Sequence, residues 1–387
     1  MNTPLRVGIA GCGNVALNFH LTAYQALPDR YVVAGLADPT PERLELGRVA
    51  AGLTADQVHL DALDLTRDDR IDVIDICTPQ HLHRDLVIAA AAAGKHVLCE
   101  KPIAATPADA AAMVAAADKA GVRLAVVHNY LFFPEVVALR QLIEDGVLGD
   151  IRTVSVDMLG VVDSPGAAGY APRWRHDPAS SGGGVLMDML HGVYLAEHLL
   201  GSPITAASAA VDAATPGDAV EGLALCRFEA GDGFCLVNVG WGLGPGGVAV
   251  NGTRGRAVAH YRDSGTMPWA PFESLTVTTA DETHVVDLPA GEELGPLITH
   301  AMRDAVADLF DAVTEGRPPA ATGRDAQRIL DATVAAYASG ALQRTVRIPL
   351  PSDSSLHRRG VVGLADLDLP AASPVRRRGL FSVRKGS

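Results

Sequence analysis

Gly11-Cys12-Gly13-Asn14-Val15-Ala16 stands between an apolar run, Leu5–Ala10, and a stretch of helical spacing, Ala16–Leu27. A strand that turns through two glycines into a helix leaves few options for the rest of the chain. Gly11 permits the tight turn, Gly13 lets the backbone approach a pyrophosphate, and the small Ala16 lets the helix pack on the strand. Free amides at the helix start bind phosphate oxygens. The next apolar run, Tyr31–Ala37, stops at Asp38, 27 positions after Gly11. A carboxylate there suits the hydroxyls of an adenosine ribose and repels a 2′-phosphate. The segment predicts a dinucleotide site contacted by Gly11, Gly13, Asn14, Val15 and Asp38, with NAD preferred to NADP.

The rhythm continues to about residue 130. Pro41–Ala51 reads as helix, Ile71–Cys77 as strand, Leu82–Ala93 as helix and His96–Cys99 as strand. Thr106–Ala120 is a helix with Thr106 as N-cap and Pro107 behind it, and Arg123–Val127 is a strand. Apolar strands alternating with helices predict an α/β fold whose parallel sheet is covered on both faces. Glu135–Asp145 adds a helix. Ile151–Leu159 alternates as a half-buried strand does, and Val185–Leu200 reads as one helix entered from Gly182-Gly183-Gly184. Leu223–Phe228, Phe234–Val239, Arg256–His260 and Leu275–Thr279 are strands without intervening helices, hence antiparallel, and Gly240–Gly247 reads as a hairpin turn. Helices over about Leu297–Glu315 and Arg324–Ala341 follow. The predicted domains are 1–128, 129–350 and a tail, 351–387.

Composition narrows the function. The 387 residues include 32 basic and 45 acidic side chains, a net charge of -13. Nucleic-acid binding asks for a basic face, so none is expected. No apolar run approaches the ~20 residues of a membrane span, and the N-terminus has no secretory pattern. Five cysteines without a CxxC pair argue against disulfides and zinc and for a reducing, cytoplasmic setting. His81 and His83 point apart at a helix entrance, so no metal is expected. The tail carries seven positive and three negative side chains and reads as disordered. Trp174 and Arg175, with Asp177 close behind, sit on a loop that can cover a substrate.

Two further segments carry a family resemblance. Cys77-Thr78-Pro79-Gln80-His81-Leu82-His83 leads through Gly94-Lys95-His96-Val97 to Glu100-Lys101-Pro102. Ser181-Gly182-Gly183-Gly184-Val185-Leu186-Met187-Asp188-Met189-Leu190-His191 is the second. With the glycine loop and His128-Asn129-Tyr130, they resemble the Gfo/Idh/MocA oxidoreductases, which include glucose–fructose oxidoreductase and inositol dehydrogenases, from about Leu5 to Leu350. The resemblance implies an N-terminal Rossmann domain and a C-terminal α/β domain with an open, mostly antiparallel sheet that often serves oligomerisation, here a homodimer or homotetramer. It implies hydride transfer between the nicotinamide and a secondary alcohol or ketone of a sugar, amino sugar or (amino)cyclitol. It sets Lys101 beside the nicotinamide, Asp188 and His191 as the acid–histidine pair, and Thr78, Pro79, His83, Glu100 and Asn129 around the cofactor. Lys101, Asp188, His191, Trp174 and Arg175 are the expected substrate contacts. The alanine- and arginine-rich, lysine-poor composition suggests a GC-rich source and, by analogy, antibiotic-type metabolism.

The chemistry asks for these residue types. Removing hydride from a secondary alcohol builds charge on its oxygen as the proton leaves. A histidine takes that proton, an ammonium polarises the oxygen, and a carboxylate orients the imidazole. Two departures stand out. The acid–histidine spacing is three where the family has four, so either the helix start is remodelled or another acid assists His191. Leu131 replaces an arginine of many relatives, which alters the substrate pocket or a brace beside it. A glycosidase that retains NAD and a silent NAD-binding regulator are the alternative functions.

Overall fold

The computed structural model describes residues 3–161, 176–212, 220–242, 244–262, 272–288, 291, 294–371 and 373. Its strands are β1 Leu5–Ala10, β2 Tyr31–Ala37, β3 Val58–His59, β4 Val73–Ile76, β5 His96–Cys99, β6 Leu124–Val126, β7 Ile151–Val161, β8 Ile204–Asp212, β9 Leu223–Ala230, β10 Gly233–Trp241, β11 Gly246–Gly252, β12 Gly255–Tyr261, β13 Phe272–Thr279, β14 Thr283–Val286 and β15 Val346–Arg347. Its helices are α1 Leu21–Gln25, α2 Pro41–Ala51, α3 Ala62–Arg67, α4 His83–Ala92, α5 Pro107–Ala120, α6 Pro134–Glu144, α7 Pro178–Ser181, α8 Val185–Asp188, α9 His191–Leu200, α10 Leu294–Thr314, α11 Gly323–Leu342 and α12 Ser355–Arg359. The chain forms two compact units. Among the described residues, the first holds residues 3–129 and 298–327, and the second holds the rest.

The first unit contains a six-stranded sheet of order β3-β2-β1-β4-β5-β6, parallel at every pairing. The order reverses between β1 and β4, the place where open α/β sheets bind ligands beyond the carboxyl ends of their strands. Thr106 caps α5 as its sequence predicts, its hydroxyl accepting the Asp109 N–H at 3.1 Å. Sequence periodicity omits the short β3 and α3. The unit is not contiguous in sequence. Met302, Val306, Leu309 and Phe310 of α10 share a buried core with Ile9, Leu36 and Val73. The Tyr31 hydroxyl donates to the Val306 carbonyl at 2.9 Å, and Phe310 meets the Tyr31 ring edge-on at 5.7 Å. The expected cut at residue 128 therefore leaves out a helix that this sheet needs.

The second unit contains a nine-stranded open sheet, β14-β13-β12-β11-β7-β10-β9-β8-β15. All pairs are antiparallel except β10 with β7, which is parallel. Because β7 lies between β10 and β11, Gly240–Gly247 is not the hairpin turn its composition suggests. Helix α9 covers one face, and Gly192 allows it close: a Cβ there would meet Val237 Cγ1 at 2.7 Å. The opposite face leaves Leu223, Leu225, Phe234 and Leu236 exposed.

The single helix expected over Val185–Leu200 is two helices. Met189, at φ -100° and ψ 31°, ends α8, and the chain re-enters a helix at His191. Asp188 and His198 are the only residues of this stretch that are not buried. The C-terminal stretch also differs from expectation. Residues 355–366 form α12 and a 3₁₀ turn, with Leu356, Val361 and Leu364 buried. A charge count favours disorder because it ignores the spaced leucines and valine that pack inward. Residues 374–387, with the Arg376-Arg377-Arg378 run, lie outside the described residues.

All five cysteines are free thiols, and burial pushes Cys12 and Cys235 up to about 12. Among the described residues no helix is long and apolar enough to cross a membrane.

Candidate active site

The predicted nucleotide residues gather at the carboxyl ends of β1, β2 and β4. Gly11 takes φ +99°, and a Cβ on it would lie 2.8 Å from the Cys77 carbonyl, so the protein itself demands glycine there. Gly13 differs. A Cβ on it would meet nothing nearer than Arg43 Nη1 at 3.8 Å. The protein leaves that face open, as a pyrophosphate cradle must. Asp38 is buried, and its two carboxylate oxygens accept the Cys12 and Thr40 N–H groups, each at 2.8 Å. Each oxygen keeps a lone pair for a ribose hydroxyl. Asn14 is exposed and held by Asn18, and Val15 is half-buried at the helix start. After β4, the Thr78 hydroxyl is buried with no hydrogen-bond partner among the described residues. An open cradle, a free carboxylate lone pair and an orphaned hydroxyl on one sheet edge fit a dinucleotide. The Arg43 guanidinium beside Gly13 was not singled out from sequence, although a cation five residues after Asp38 suits a phosphate.

Other predicted cofactor residues turn inward. His83 is buried, its Nε2 2.7 Å from the Thr78 carbonyl and its Nδ1 3.0 Å from the Ile103 carbonyl. Burial lowers its pKa while the hydrogen bonds to the two carbonyls oppose the fall, and the ring braces the Thr78-Pro79 turn. Glu100 also faces the interior. Its Oε1 lies 2.9 Å from His20 Nε2, and its Oε2 accepts the Lys101 N–H at 2.9 Å. Both support the turns that carry Thr78 and Lys101. Lys101 itself is half-buried just beyond β5, and Asn129 is buried at the start of a 3₁₀ turn. His20 and Asp75 were missed from sequence. A histidine at the inward spacing of its helix and an aspartate inside an apolar strand were the available signals.

In the second unit, His191 opens α9 and is buried. Its Nδ1 lies 2.7 Å from the Tyr194 hydroxyl, and that hydroxyl accepts the Tyr130 N–H at 3.1 Å. Tyr130 stacks on the imidazole at 4.0 Å between ring centroids. A phenol therefore holds Nδ1 of the imidazole. Asp188, the last residue of α8, is half-buried and does not share a continuous helix with His191. The helix breaks between the two at Met189 and Leu190. Trp174 and Arg175 lie outside the described residues, and Asp177 caps α7, accepting the Ala179 N–H at 3.2 Å.

The entrance to α8 depends on two residues that sequence reading missed. Glu221 accepts the Gly184 N–H at 2.9 Å and the Leu186 N–H at 2.8 Å, and the Tyr337 hydroxyl donates to it at 2.5 Å. The same hydroxyl accepts the Met187 N–H at 3.2 Å, and the Glu221 carbonyl accepts the Val185 N–H at 3.2 Å. All the free amides of this helix start are thus taken by residues distant in sequence. A Cβ on Gly183 or Gly184 would run into Tyr337 or Glu221, which explains the glycine run. Burial pushes the Glu221 carboxyl up to about 7, although its hydrogen bonds oppose the rise.

Two predictions follow from this geometry. Gly13→Val should leave the melting temperature near that of the parent while weakening NAD more than tenfold by calorimetry, whereas Gly11→Ala should lower stability by about 1–3 kcal/mol. Equal stability losses in the two would refute the open cradle. The Glu221 carboxyl holds its proton more tightly folded than unfolded. Its contribution to stability is complete below about pH 4.3 and is lost as pH rises through about 7. Relative to Glu221→Gln, the parent should lose up to about 1.4 kcal/mol per pH unit across that window; parallel unfolding curves would exclude a buried titrating acid.

Comparison with known proteins agrees with this architecture. Residues 5–128 match the oxidoreductase family, NAD-binding Rossmann fold, and residues 136–258 match the GFO/IDH/MocA C-terminal domain, together more than half of the chain. A D-apiose dehydrogenase of Paraburkholderia graminis is 38% identical over 141 residues, 36% of either chain. A dTDP-3,4-didehydro-2,6-dideoxy-alpha-D-glucose 3-reductase of Saccharopolyspora spinosa is 28% identical over 354 residues, 89% of this chain and 99% of that one. The chain spans between about a third and somewhat over half of the length of the first curated relatives it matches. A solved levoglucosan dehydrogenase, in complex with NADH and levoglucosan, superposes with a TM-score of 0.76 at 25% identity, covering 90% of this chain and all of that one. With the parallel sheet, the open second sheet and both matched domains in their places, the chain belongs to the Gfo/Idh/MocA family.

Proposed function

We propose that this protein is an NAD-dependent dehydrogenase or reductase acting on a secondary alcohol or ketone of a sugar, amino sugar or (amino)cyclitol. The observation that carries the reading is the open face of Gly13 beside Asp38 and the orphaned Thr78 hydroxyl. Gly11, Gly13, Asn14, Val15, Asp38 and Thr78 would hold the cofactor, whose nicotinamide supplies the hydride acceptor or donor when bound. Asp38 favours NAD over NADP, because a 2′-phosphate would meet its carboxylate.

Lys101 polarises the reacting oxygen with its ammonium. His191 takes the alcohol proton as the carbon gives up hydride, and returns it in the reductive direction. Tyr194 fixes the imidazole through Nδ1, and Asp188 supports the pair. Sugar-acting names among relatives, apiose, levoglucosan and a deoxyhexose bound to dTDP, support this substrate class. The last name also supports a place in the making of secondary-metabolite sugars. We read the protein as cytoplasmic and as a homodimer or homotetramer. The exposed Leu223, Leu225, Phe234 and Leu236 on β9 and β10 support a second copy on that sheet face; a monomer by sedimentation would remove it.

The test is a screen of inositols, aminocyclitols, hexoses, sugar nucleotides and aminoglycosides, followed by the absorbance of reduced nicotinamide with NAD and, separately, NADP. One class should respond, with NAD. Lys101→Ala should cut turnover by about 10²–10⁴-fold with little change in NAD affinity, and Asp38→Ala should weaken NAD more than NADP. Unaltered turnover would remove Lys101 from the mechanism. Silence across the panel in both directions, with NAD bound, would favour a regulator.

A further inference from the structure

Asp75, His20 and Glu100 form a buried chain of ionisable groups that this mechanism does not use. His20 ends a π-helical turn, Ala16–His20, in which the Leu21 N–H reaches back to the Ala16 carbonyl. Such one-residue expansions are rare and recur at functional sites. The His20 side chain has no solvent exposure, and neither has that of Asp75 on β4. Nδ1 lies 2.8 Å from Asp75 Oδ2, and Nε2 lies 2.9 Å from Glu100 Oε1. The second Glu100 oxygen accepts the Lys101 N–H. Cys77 Sγ is 3.4 Å from Nδ1 and 3.6 Å from Asp75 Oδ1. Tyr24, Tyr31, His83 and Cys99 are further titratable groups acting on these carboxylates.

A neutral imidazole has one N–H and one lone pair. Between two carboxylates it would aim that lone pair at an oxygen. An imidazolium donates on both sides, and the sequence Asp75, His20, Glu100, Lys101 then alternates in sign. Burial alone would lower the His20 pKa, but the facing Asp75 carboxylate, with Cys77, raises it well above its ordinary value. His20 and Lys101 in turn lower the Glu100 pKa against its own desolvation.

We propose that His20 is a positioning residue: a permanently charged, buried imidazolium that keeps Glu100 ionised and turned inward, so that Glu100 fixes the Lys101 backbone at the end of β5. Removing the cation leaves two buried carboxylates without their shared partner, a costly arrangement. Glu100 then turns away, and Lys101 loses its anchor. The effect on turnover rests on the oxidoreductase reading above, whereas the charge state and the anchor do not.

The full chain with bound NAD and ¹⁵N-labelled histidine rings tests it. At about pH 8.5, where exposed histidines are neutral, the His20 nitrogens should keep the near-equal shifts of an imidazolium. In His20→Gln, the Lys101 amide should exchange with solvent at least ~10-fold faster while those of Val7 and Ile9 stay unchanged, because only the first depends on Glu100. Turnover should fall about 10–100-fold with the NAD dissociation constant within about threefold. Should His20→Gln fail to fold, Glu100→Gln should move His20 deprotonation down by about a pH unit or more. A neutral His20 ring at pH near 7.5 in the parent, or unchanged Lys101 exchange in folded His20→Gln, would overturn the assignment. Absence of turnover on every substrate, with ring charge and amide exchange as expected, would support it and sink only the activity.

Discussion

A carboxylate oxygen accepting a backbone N–H recurs at each turn from which the chain presents a candidate reactive group. Asp38 holds Cys12 in the glycine loop, Glu100 holds Lys101, and Glu221 holds Gly184 and Leu186 ahead of Asp188 and His191. Sharp turns expose amides that no helix or strand can pair, and burying them unpaired costs more than most single contacts return. A side-chain carboxyl reaching in from a neighbouring segment supplies the missing acceptor, and where it is ionised the bond is roughly twice as strong as a neutral one. The same acceptors are directional, so they fix orientation as well as position.

The regular parts of the first sheet were legible. The bounds of β1, β2, β5 and α2 follow directly from runs of apolar residues closed by Gly, Pro or Asp. The glycine loop and Asp38 were legible too, because their chemistry is local. What could not be seen was distant. Glu221 and Tyr337 cap α8 across 37 and about 150 positions of chain. Nothing in the apolar stretch Val185–Leu200 says that its amides are satisfied from elsewhere, so a single helix is the natural expectation. The parallel pairing of β7 with β10 is likewise a matter of topology. At the C-terminus, charge hid a small apolar core around Leu356, Val361 and Leu364.

The Tyr194 hydroxyl and the Tyr130 ring set the position of the His191 imidazole. The Tyr194 hydroxyl carries no charge, and one of its lone pairs already receives the Tyr130 N–H. It can orient the ring by donating to Nδ1 or accepting from it. The stacked Tyr130 ring, itself stacked on Phe133 at 4.3 Å, fixes the imidazole plane. A ring so held keeps its orientation.

The return of α10 to the first unit has a consequence for how the protein is made. Chains leave the ribosome from the N-terminus at about 5–20 residues per second. The sheet that ends near residue 129 then waits for residues 298 onward, roughly ten to thirty seconds of synthesis at those rates, before Met302, Val306, Leu309 and Phe310 can cover Tyr31, Leu36 and their neighbours. During that interval a nearly complete parallel sheet leaves an apolar flank uncovered. Chaperones, nascent partner chains or an early-bound nucleotide then have a window in which to act on it. Any chimera that exchanges the cofactor half of such a protein must move two segments of chain together.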